Sequence, residues 1–211
     1  MSGARQLLTR CARDLGGSTA AEFSLVLPLL FILLFGVIDG GRFLWETNRA
    51  EKATQMGVRM AVVTNVLAPG LVSEDYTGKV VGGTTIKAGD LIPAGALGVI
   101  KCTSAGCTCQ TAPCPSSLGT MDSTTFGLLV ARMTAIDPNI TAANVVVSYS
   151  GSGLGTAGDG GATSMDISPL ITVSLTELKF VPITSLLLAT LTLPSFSSTL
   201  TAEDASGQYS E

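Results

Sequence analysis

The most apolar stretch of the chain lies near its N-terminus. No residue from Phe23 to Ile38 carries a charge, and small or apolar neighbours extend the stretch to residues 18–45. A helix that crosses a bilayer needs about 20 predominantly apolar residues, so the pattern predicts a transmembrane helix over residues 18–45. We predict that this membrane anchor includes Phe23, Pro28, Phe35 and Trp45, with Trp45 at the outer interface.

Three charged residues fall inside the predicted span, Glu22 near its start and Asp39 and Arg42 near its end. We expect Asp39 and Arg42 to form a local, solvated ion pair at the outer interface, which would contribute little energy. A cleaved secretory signal is one alternative, but the apolar core is not followed by the small-x-small site that such a signal needs. An ordinary buried helix is the other, but a helix that is apolar all round is hard to place in a small soluble domain. Both points favour a membrane anchor.

The helical pattern continues beyond Trp45 over residues 46–66. Small residues recur there at helical spacing, namely Ala50, Ala53, Gly57 and Ala61 or Met60. This narrow stripe predicts close packing against a sheet or another helix. Pro69-Gly70 is expected to end the helix.

Residues 67–211 carry turn residues and β-branched runs, which predict a β-rich domain. The expected strands are Val80–Val81, Leu97–Cys102, Asn144–Ser150, Leu170–Leu178 and Ser198–Ala202. Asp122 is a predicted N-cap for a helix through Met133. A second short helix is expected at Ile183–Leu191, which is too short to span a bilayer and should pack in the core or at an interface. The predicted fold class is α+β, a long transmembrane helix that continues into an antiparallel sheet domain.

Four cysteines form a cluster with the spacing Cys-x4-Cys-x-Cys-x4-Cys, namely Cys102, Cys107, Cys109 and Cys114. Structural zinc sites usually have paired knuckles set further apart, so disulfides are favoured over a metal. Three pairings are possible. The pairing that joins Cys107 to Cys109 would be strained, because a single residue separates the two. We expect the bridges to staple a surface loop with little core of its own.

Composition and charge narrow the function classes. The chain has no histidine, and its lysines and carboxylates show no catalytic spacing, so we predict no enzyme, no metal and no cofactor. Residues 1–17 hold three arginines and one aspartate, whereas the whole 211-residue chain has a net charge of −4. This asymmetry argues against nucleic acid as a partner and places residues 1–17 in the cytoplasm by the positive-inside rule. The glycine-rich run 150–161 lacks a nucleotide-binding fingerprint and is expected to be a flexible loop.

The residues before the apolar stretch read Gly16-Gly17-Ser18-Thr19-Ala20-Ala21-Glu22-Phe23. A glycine, four residues and then a glutamate followed by an aromatic residue resemble the processing signature of type IV pilin-like proteins. The Leu-rich run with its early proline and the following Asp-Gly-Gly-Arg are similar to the TadE-like family. Members of that family are minor pilins, or pseudopilins, of the tight-adherence (Flp-type) pilus system. The resemblance covers residues 16–64.

The resemblance implies a pilin-like fold and specific roles for these residues. A prepilin peptidase would cut between Gly17 and Ser18, so that Glu22 becomes the fifth residue of the mature protein. Glu22 and Phe23 would then act in assembly. A carboxylate near the bilayer interior normally has a partner, and the newly formed N-terminal ammonium can neutralise it between subunits. The implied partners are the prepilin peptidase, other pilin subunits, the inner-membrane assembly platform and the lipid bilayer.

The leading hypothesis is a non-catalytic minor pilin that takes part in the assembly of a Flp-type pilus. It would lie in the inner (cytoplasmic) membrane, with residues 1–17 in the cytoplasm and residues 67–211 in the periplasm. The alternative is a membrane-tethered binding or adhesion module that is not processed as a pilin. Glu22→Ala distinguishes the two, because only the pilin hypothesis expects failed assembly with normal membrane insertion.

Overall fold

The computed structural model describes residues 18–158, 165–186 and 190–202. Helix α1 covers Ser18–Val63 and continues through Pro28 without interruption. Backbone contacts divide the chain into two compact units, and the division on α1 falls between Trp45 and Glu46. The anchor unit comprises the residues up to Trp45 and Phe180–Leu191. The outer unit comprises Glu46–Lys179 and the residues from Thr192 onward.

In the anchor unit, large apolar side chains cover α1 and are exposed. Their exposed fractions run from 38% for Phe35 to 79% for Leu25, and the rings of Phe31 and Phe35 stack with centroids 5.8 Å apart. Among the described residues, α1 is the one helix that is long and apolar enough to cross a membrane. The predicted long apolar N-terminal helix is therefore confirmed.

The outer unit contains helix α2, Ser123–Thr134, and a five-stranded antiparallel sheet in the order β4-β3-β5-β6-β9. Two further pairs, β1 with β2 and β7 with β8, form two-stranded sheets. The described strands in chain order are β1 Val80–Val81, β2 Thr84–Thr85, β3 Val99–Thr103, β4 Gly106–Thr111, β5 Val145–Ser150, β6 Leu170–Leu175, β7 Lys179–Phe180, β8 Leu191–Thr192 and β9 Phe196–Thr201. The α+β fold class predicted from the sequence is confirmed.

One face of the five-stranded sheet forms the core of the outer unit. On β5 and β6, fully buried residues alternate with half-buried ones, as expected for strands with one face on a core. The fully buried side chains of these strands are Val145, Val147, Tyr149, Ile171, Val173 and Leu175.

The small-residue stripe of α1 belongs to the same core. Ala50 and Ala53 are fully buried. Gly57 lies so close to its neighbours that a Cβ there would be 2.8 Å from Sδ of Met133 on α2 and 3.2 Å from Cγ1 of Val173 on β6. The predicted close packing of this stripe is confirmed, and it rests on the absence of a side chain at Gly57.

α1 ends at Val63, three residues before the predicted end at residue 66, and the backbone beyond it forms hydrogen bonds with other parts of the chain. The Leu67 N–H donates to the Tyr149 hydroxyl at 2.9 Å, and the Leu67 carbonyl accepts from the Asp122 N–H at 3.1 Å. Burial raises the pKa of Tyr149 well above its usual range. Pro69 instead opens a 3₁₀ turn, Pro69–Leu71.

Two predicted elements in the C-terminal third need correction. The strand expected over Leu170–Leu178 stops at Leu175, and Glu177 follows with a left-handed φ of 59° that interrupts an extended chain. The helix expected at Ile183–Leu191 is wrong. The chain forms a 3₁₀ turn, Ile183–Leu186, and β8 begins at Leu191, while residues 187–189 lie outside the described residues.

The glycine-rich run makes close backbone contacts at several positions within residues 150–158. The Gly155 carbonyl accepts from the Ile92 N–H at 3.0 Å. A Cβ at Gly155 would lie 2.3 Å from the Asp166 carbonyl oxygen. The glycines therefore allow close backbone approach. Asp159 and the end of the run lie outside the described residues.

Candidate membrane-anchor and assembly site

The described residues of the predicted processing signature, from Ser18 to Phe23, lie at the start of α1. Gly17 falls outside the described residues, and Ser18 is the first residue of the helix. Glu22 and Phe23 are both exposed, Phe23 by 64%. One turn of helix separates Ser18 from Glu22, so the two lie on neighbouring positions of one helix face.

Asp39 is a carboxylate of the anchor unit with several hydrogen-bond donors around it, and it is buried rather than solvated. Its side chain accepts hydrogen bonds from the Ile183 N–H at 2.7 Å, the Thr184 N–H at 3.0 Å and the Thr184 hydroxyl at 2.8 Å. The Arg42 guanidinium lies 3.3 Å from the same carboxylate. The predicted pair with Arg42 is confirmed, but the prediction that it is solvated is wrong, because Asp39 is only 7% exposed.

Arg42 and two aromatic rings complete the contact between α1 and the segment after β7. The Arg42 guanidinium lies 5.5 Å from the centroid of the Phe180 ring and donates to the Val181 carbonyl at 3.5 Å. The rings of Phe43 and Phe180 meet edge to face, with centroids 5.5 Å apart. Polar and apolar contacts therefore fix this segment on the last two turns of residues 18–45, the part of α1 in the anchor unit, here called the anchor half.

An apolar cavity of about 250 Å³ lies beside Asp39 within the anchor unit. Its lining includes Gly36, Gly40, Phe43, Phe180, Pro182 and Leu191. A Cβ added at Gly36 or Gly40 would meet no atom within 4 Å. The two glycines lie one helical turn apart in the cavity wall, and they leave room there that larger side chains would occupy.

The cysteine cluster forms two disulfides in the outer unit. Cys102 pairs with Cys107 and Cys109 pairs with Cys114, which selects one of the pairings that the spacing left open. Cys102 and Cys107 lie directly opposite each other on β3 and β4. The expected stapled surface loop is instead a β-hairpin, whose second strand is largely exposed.

Comparison with known families adds to this geometry. Residues 17–59 match the family model described as TadE-like protein. This segment is TadE-like. The TadE-like resemblance inferred from residues 16–64 is thereby confirmed. No curated protein and no solved structure gives a significant match to the chain.

The TadE-like segment covers the anchor half of α1 and most of its small-residue stripe, and it ends before the sheet begins. It contains Glu22, Asp39 and Arg42, but the backbone and hydroxyl donors to Asp39, from Ile183 and Thr184, come from outside it. Sequence reasoning named Asp39 and missed those donors. The local signal was an acidic residue three positions before an arginine, and nothing in that spacing points to Ile183 or Thr184.

Proposed function

We propose that this protein is a minor pilin, or pseudopilin, that takes part in the assembly of a tight-adherence (Flp-type) pilus and has no catalytic role. The observation that carries the proposal is the Gly17-x4-Glu22-Phe23 signature at the head of an exposed apolar helix, within a TadE-like segment. The β-rich outer unit supplies a folded body of the kind that a pilin-like subunit carries on its helix.

The proposed topology is single-pass in the inner membrane. Residues 1–17 form a basic cytoplasmic leader, residues 18–45 span the bilayer, residues 46–66 continue the helix and residues 67–211 form the periplasmic domain. The arginines of the leader support this orientation. The two disulfides support an oxidising compartment for residues 102–114.

The proposed processing step is cleavage between Gly17 and Ser18 by a prepilin peptidase. Cleavage creates an ammonium group at Ser18, one helical turn from Glu22. A carboxylate at the inner edge of the hydrocarbon costs less than one at the bilayer centre, for which the cost is about 3 kcal/mol, but it is still incompletely solvated. A nearby ammonium from an adjacent subunit would therefore stabilise Glu22 and fix the axial register of the two helices. The other pilin subunits and the inner-membrane assembly platform are the partners for this step.

N-terminal sequencing of membrane-extracted protein tests the processing step. In cells that contain the peptidase, we expect the sequence to begin at Ser18, and in cells that lack it, at Met1. Gly17→Leu should keep the Met1 start in both strains, whereas the matched change Gly16→Leu should allow cleavage. An intact Met1 start with active peptidase, or a cut beyond Trp45, would contradict the proposal.

Glu22→Ala tests the assembly role. We expect normal membrane insertion and cleavage but loss of the subunit from purified pili, and a drop in piliated cells. Glu51→Ala is the matched control, because Glu51 is an exposed acidic residue of the same helix outside the anchor unit. Normal piliation with Glu22→Ala would favour a membrane-tethered binding or adhesion module instead.

A further inference from the structure

The segment Phe180–Thr184, here called the rim segment, alternates between buried and exposed side chains. Phe180, Pro182 and Thr184 are buried. Val181 and Ile183 point away from that packing and are 53% and 50% exposed. The segment runs from the end of β7 into the 3₁₀ turn that begins at Ile183, and both of its exposed side chains are apolar.

The rim segment is bonded to α1 at a defined height along the helix. Asp39, which holds it, lies 17 residues after Glu22, a rise of about 25 Å along a straight helix. The hydrocarbon core of a bilayer is about 30 Å thick. With Glu22 at the inner boundary, Asp39 therefore lies at the outer edge of the hydrocarbon, and Trp45 lies about 9 Å further out.

A carboxylate at that height needs partners from the protein, because hydrocarbon supplies none. The rim segment provides two backbone N–H groups and one hydroxyl to Asp39. The Arg42 guanidinium adds a positive charge at 3.3 Å. Apart from Asp39 and Thr184, the residues that line the open cavity beside this cluster are glycine or apolar. These features suit an environment of lipid rather than of water.

We propose that the rim segment is a second membrane contact, in which Val181 and Ile183 enter the outer leaflet beside the spanning helix and Asp39 holds them there. The partner is the acyl-chain edge of the bilayer. The contact continues the exposed apolar surface of α1, so it rests on the proposed membrane anchor. It gives the rim segment a fixed depth beside the spanning helix.

Depth-dependent fluorescence quenching tests this contact in the full chain. A Cys11→Ser background leaves the four disulfide cysteines oxidised, and a single labelled cysteine is then introduced as Ile183→Cys. The protein is placed in phosphatidylglycerol and phosphatidylethanolamine nanodiscs that carry a nitroxide at a shallow or a deep acyl position. Leu33→Cys reports the anchor itself. Leu91→Cys is the matched control, because Leu91 is an exposed apolar residue of the outer unit.

We expect the shallow nitroxide to quench the Ile183 probe several-fold more than the Leu91 probe, and the deep nitroxide to quench the Leu33 probe most. Asp39→Asn should bring quenching at Ile183 down toward the Leu91 level and leave Leu33 unchanged. Thr184→Val removes only the hydroxyl bond and should give a partial loss, which keeps the test valid if Asp39→Asn misfolds.

Two results would overturn the inference in different ways. If the Ile183 probe behaves like the Leu91 probe while Leu33 is quenched, the rim segment is not in lipid and the anchor stands. If Leu33 is not quenched, the proposed anchor fails and the inference fails with it. Quenching at Ile183 that survives both Asp39→Asn and Thr184→Val would show that Asp39 does not hold the segment.

Discussion

Along α1, the residues from Phe23 to Ile38 are mostly large and exposed, whereas the stripe from Ala50 to Ala61 is small and buried. The two stretches belong to one uninterrupted helix. In the first stretch, bulky side chains expose apolar surface that the described part of the chain does not cover. In the second, small side chains let the backbone approach β6 and α2. Side-chain size therefore differs between the two stretches according to whether the protein itself packs against them.

Two glycines of α1 show the same difference at single positions. A Cβ at Gly41, in the anchor unit, would meet nothing within 4 Å, whereas one at Gly57 would lie 2.8 Å from Met133. A glycine inside a helix costs roughly 1 kcal/mol relative to alanine. At Gly57 that cost is offset by the close packing that the missing side chain permits. At Gly41, in the anchor unit, the described residues make no close contact that would offset it.

The largest expected effect comes from a charge placed in the exposed apolar half. Leu33→Arg puts a guanidinium near the centre of the proposed span, which costs about 3 kcal/mol of insertion free energy. This cost lowers the ratio of inserted to non-inserted protein about a hundredfold. An insertion assay in inner-membrane vesicles measures that ratio. Gln55→Arg is the control, because Gln55 is exposed on the outer half. Equal insertion of both variants would mean that a charge is tolerated equally in the two parts of α1, which would contradict a membrane span in the first.

The next effect is overpacking in the buried half. Gly57→Leu forces side-chain atoms into Met133 and Val173, and such changes typically cost about 2 kcal/mol. We expect a lower thermal unfolding midpoint for the detergent-solubilised protein, measured from the circular dichroism signal of the sheet. Gly41→Leu places the same side chain on the exposed part of the helix and should leave that midpoint unchanged. A matching loss in both variants would mean that Gly57 is not a packing contact.

The features that sequence predicted are those whose causes lie close together in the chain. The apolar run, the small-residue stripe and the Asp122 N-cap each depend on residues within a few helical turns. The structure bears them out, since Asp122 accepts hydrogen bonds from the N–H groups of Thr124 and Thr125. The Gly17-x4-Glu22 spacing is equally local, and together with the Leu-rich run and the Asp-Gly-Gly-Arg that follow it, it indicated the TadE-like family.

The features that sequence missed depend on distant partners or on weak local patterns. Asp39 is bonded by Ile183, 144 residues further along the chain, and no periodicity connects the two. Strand β4 was missed because Gly106–Thr111 is made of small and polar residues around two cysteines. Its register comes from pairing with β3 and from the bridge between Cys102 and Cys107. Neither cause is visible in the β-propensity of the segment itself.

A smaller effect is expected where the chain leaves the buried half of α1. Beyond Val63, the Leu67 carbonyl is bonded to the N–H of Asp122, the N-cap of α2. Asp122→Ala removes the cap and should cost about 1 kcal/mol in the free energy of unfolding, while Asp122→Asn should cost much less. Denaturant titration of the detergent-solubilised protein measures both. Equal losses would indicate that the charge, and not the cap geometry, stabilises this end.

The pH dependence of that cap gives the smallest expected effect. The Thr125 backbone N–H, aided by the Thr125 hydroxyl and the Thr124 N–H, lowers the pKa of Asp122 below its usual value. A carboxyl whose pKa is lower in the folded state contributes stability above its unfolded pKa of about 3.9, and this stability is lost as the pH falls through the folded pKa. A protonated carboxyl still has an oxygen that accepts a hydrogen bond, so the loss should be smaller than that of Asp122→Ala.

Comparison with Asp122→Asn isolates this carboxyl from the others, because asparagine does not titrate. Asp75 must be separated in this way, since the Thr77 N–H also lowers its pKa. We expect the stability difference between the unaltered protein and Asp122→Asn to be constant from neutral pH to about pH 5 and to shrink below about pH 4. The anchor half should show no such change, because membrane insertion does not depend on this cap. A difference that stays constant down to pH 2 would mean that Asp122 is not stabilised in its charged form, and that the backbone hydrogen bonds and packing hold this end of α1 without a contribution from that charge.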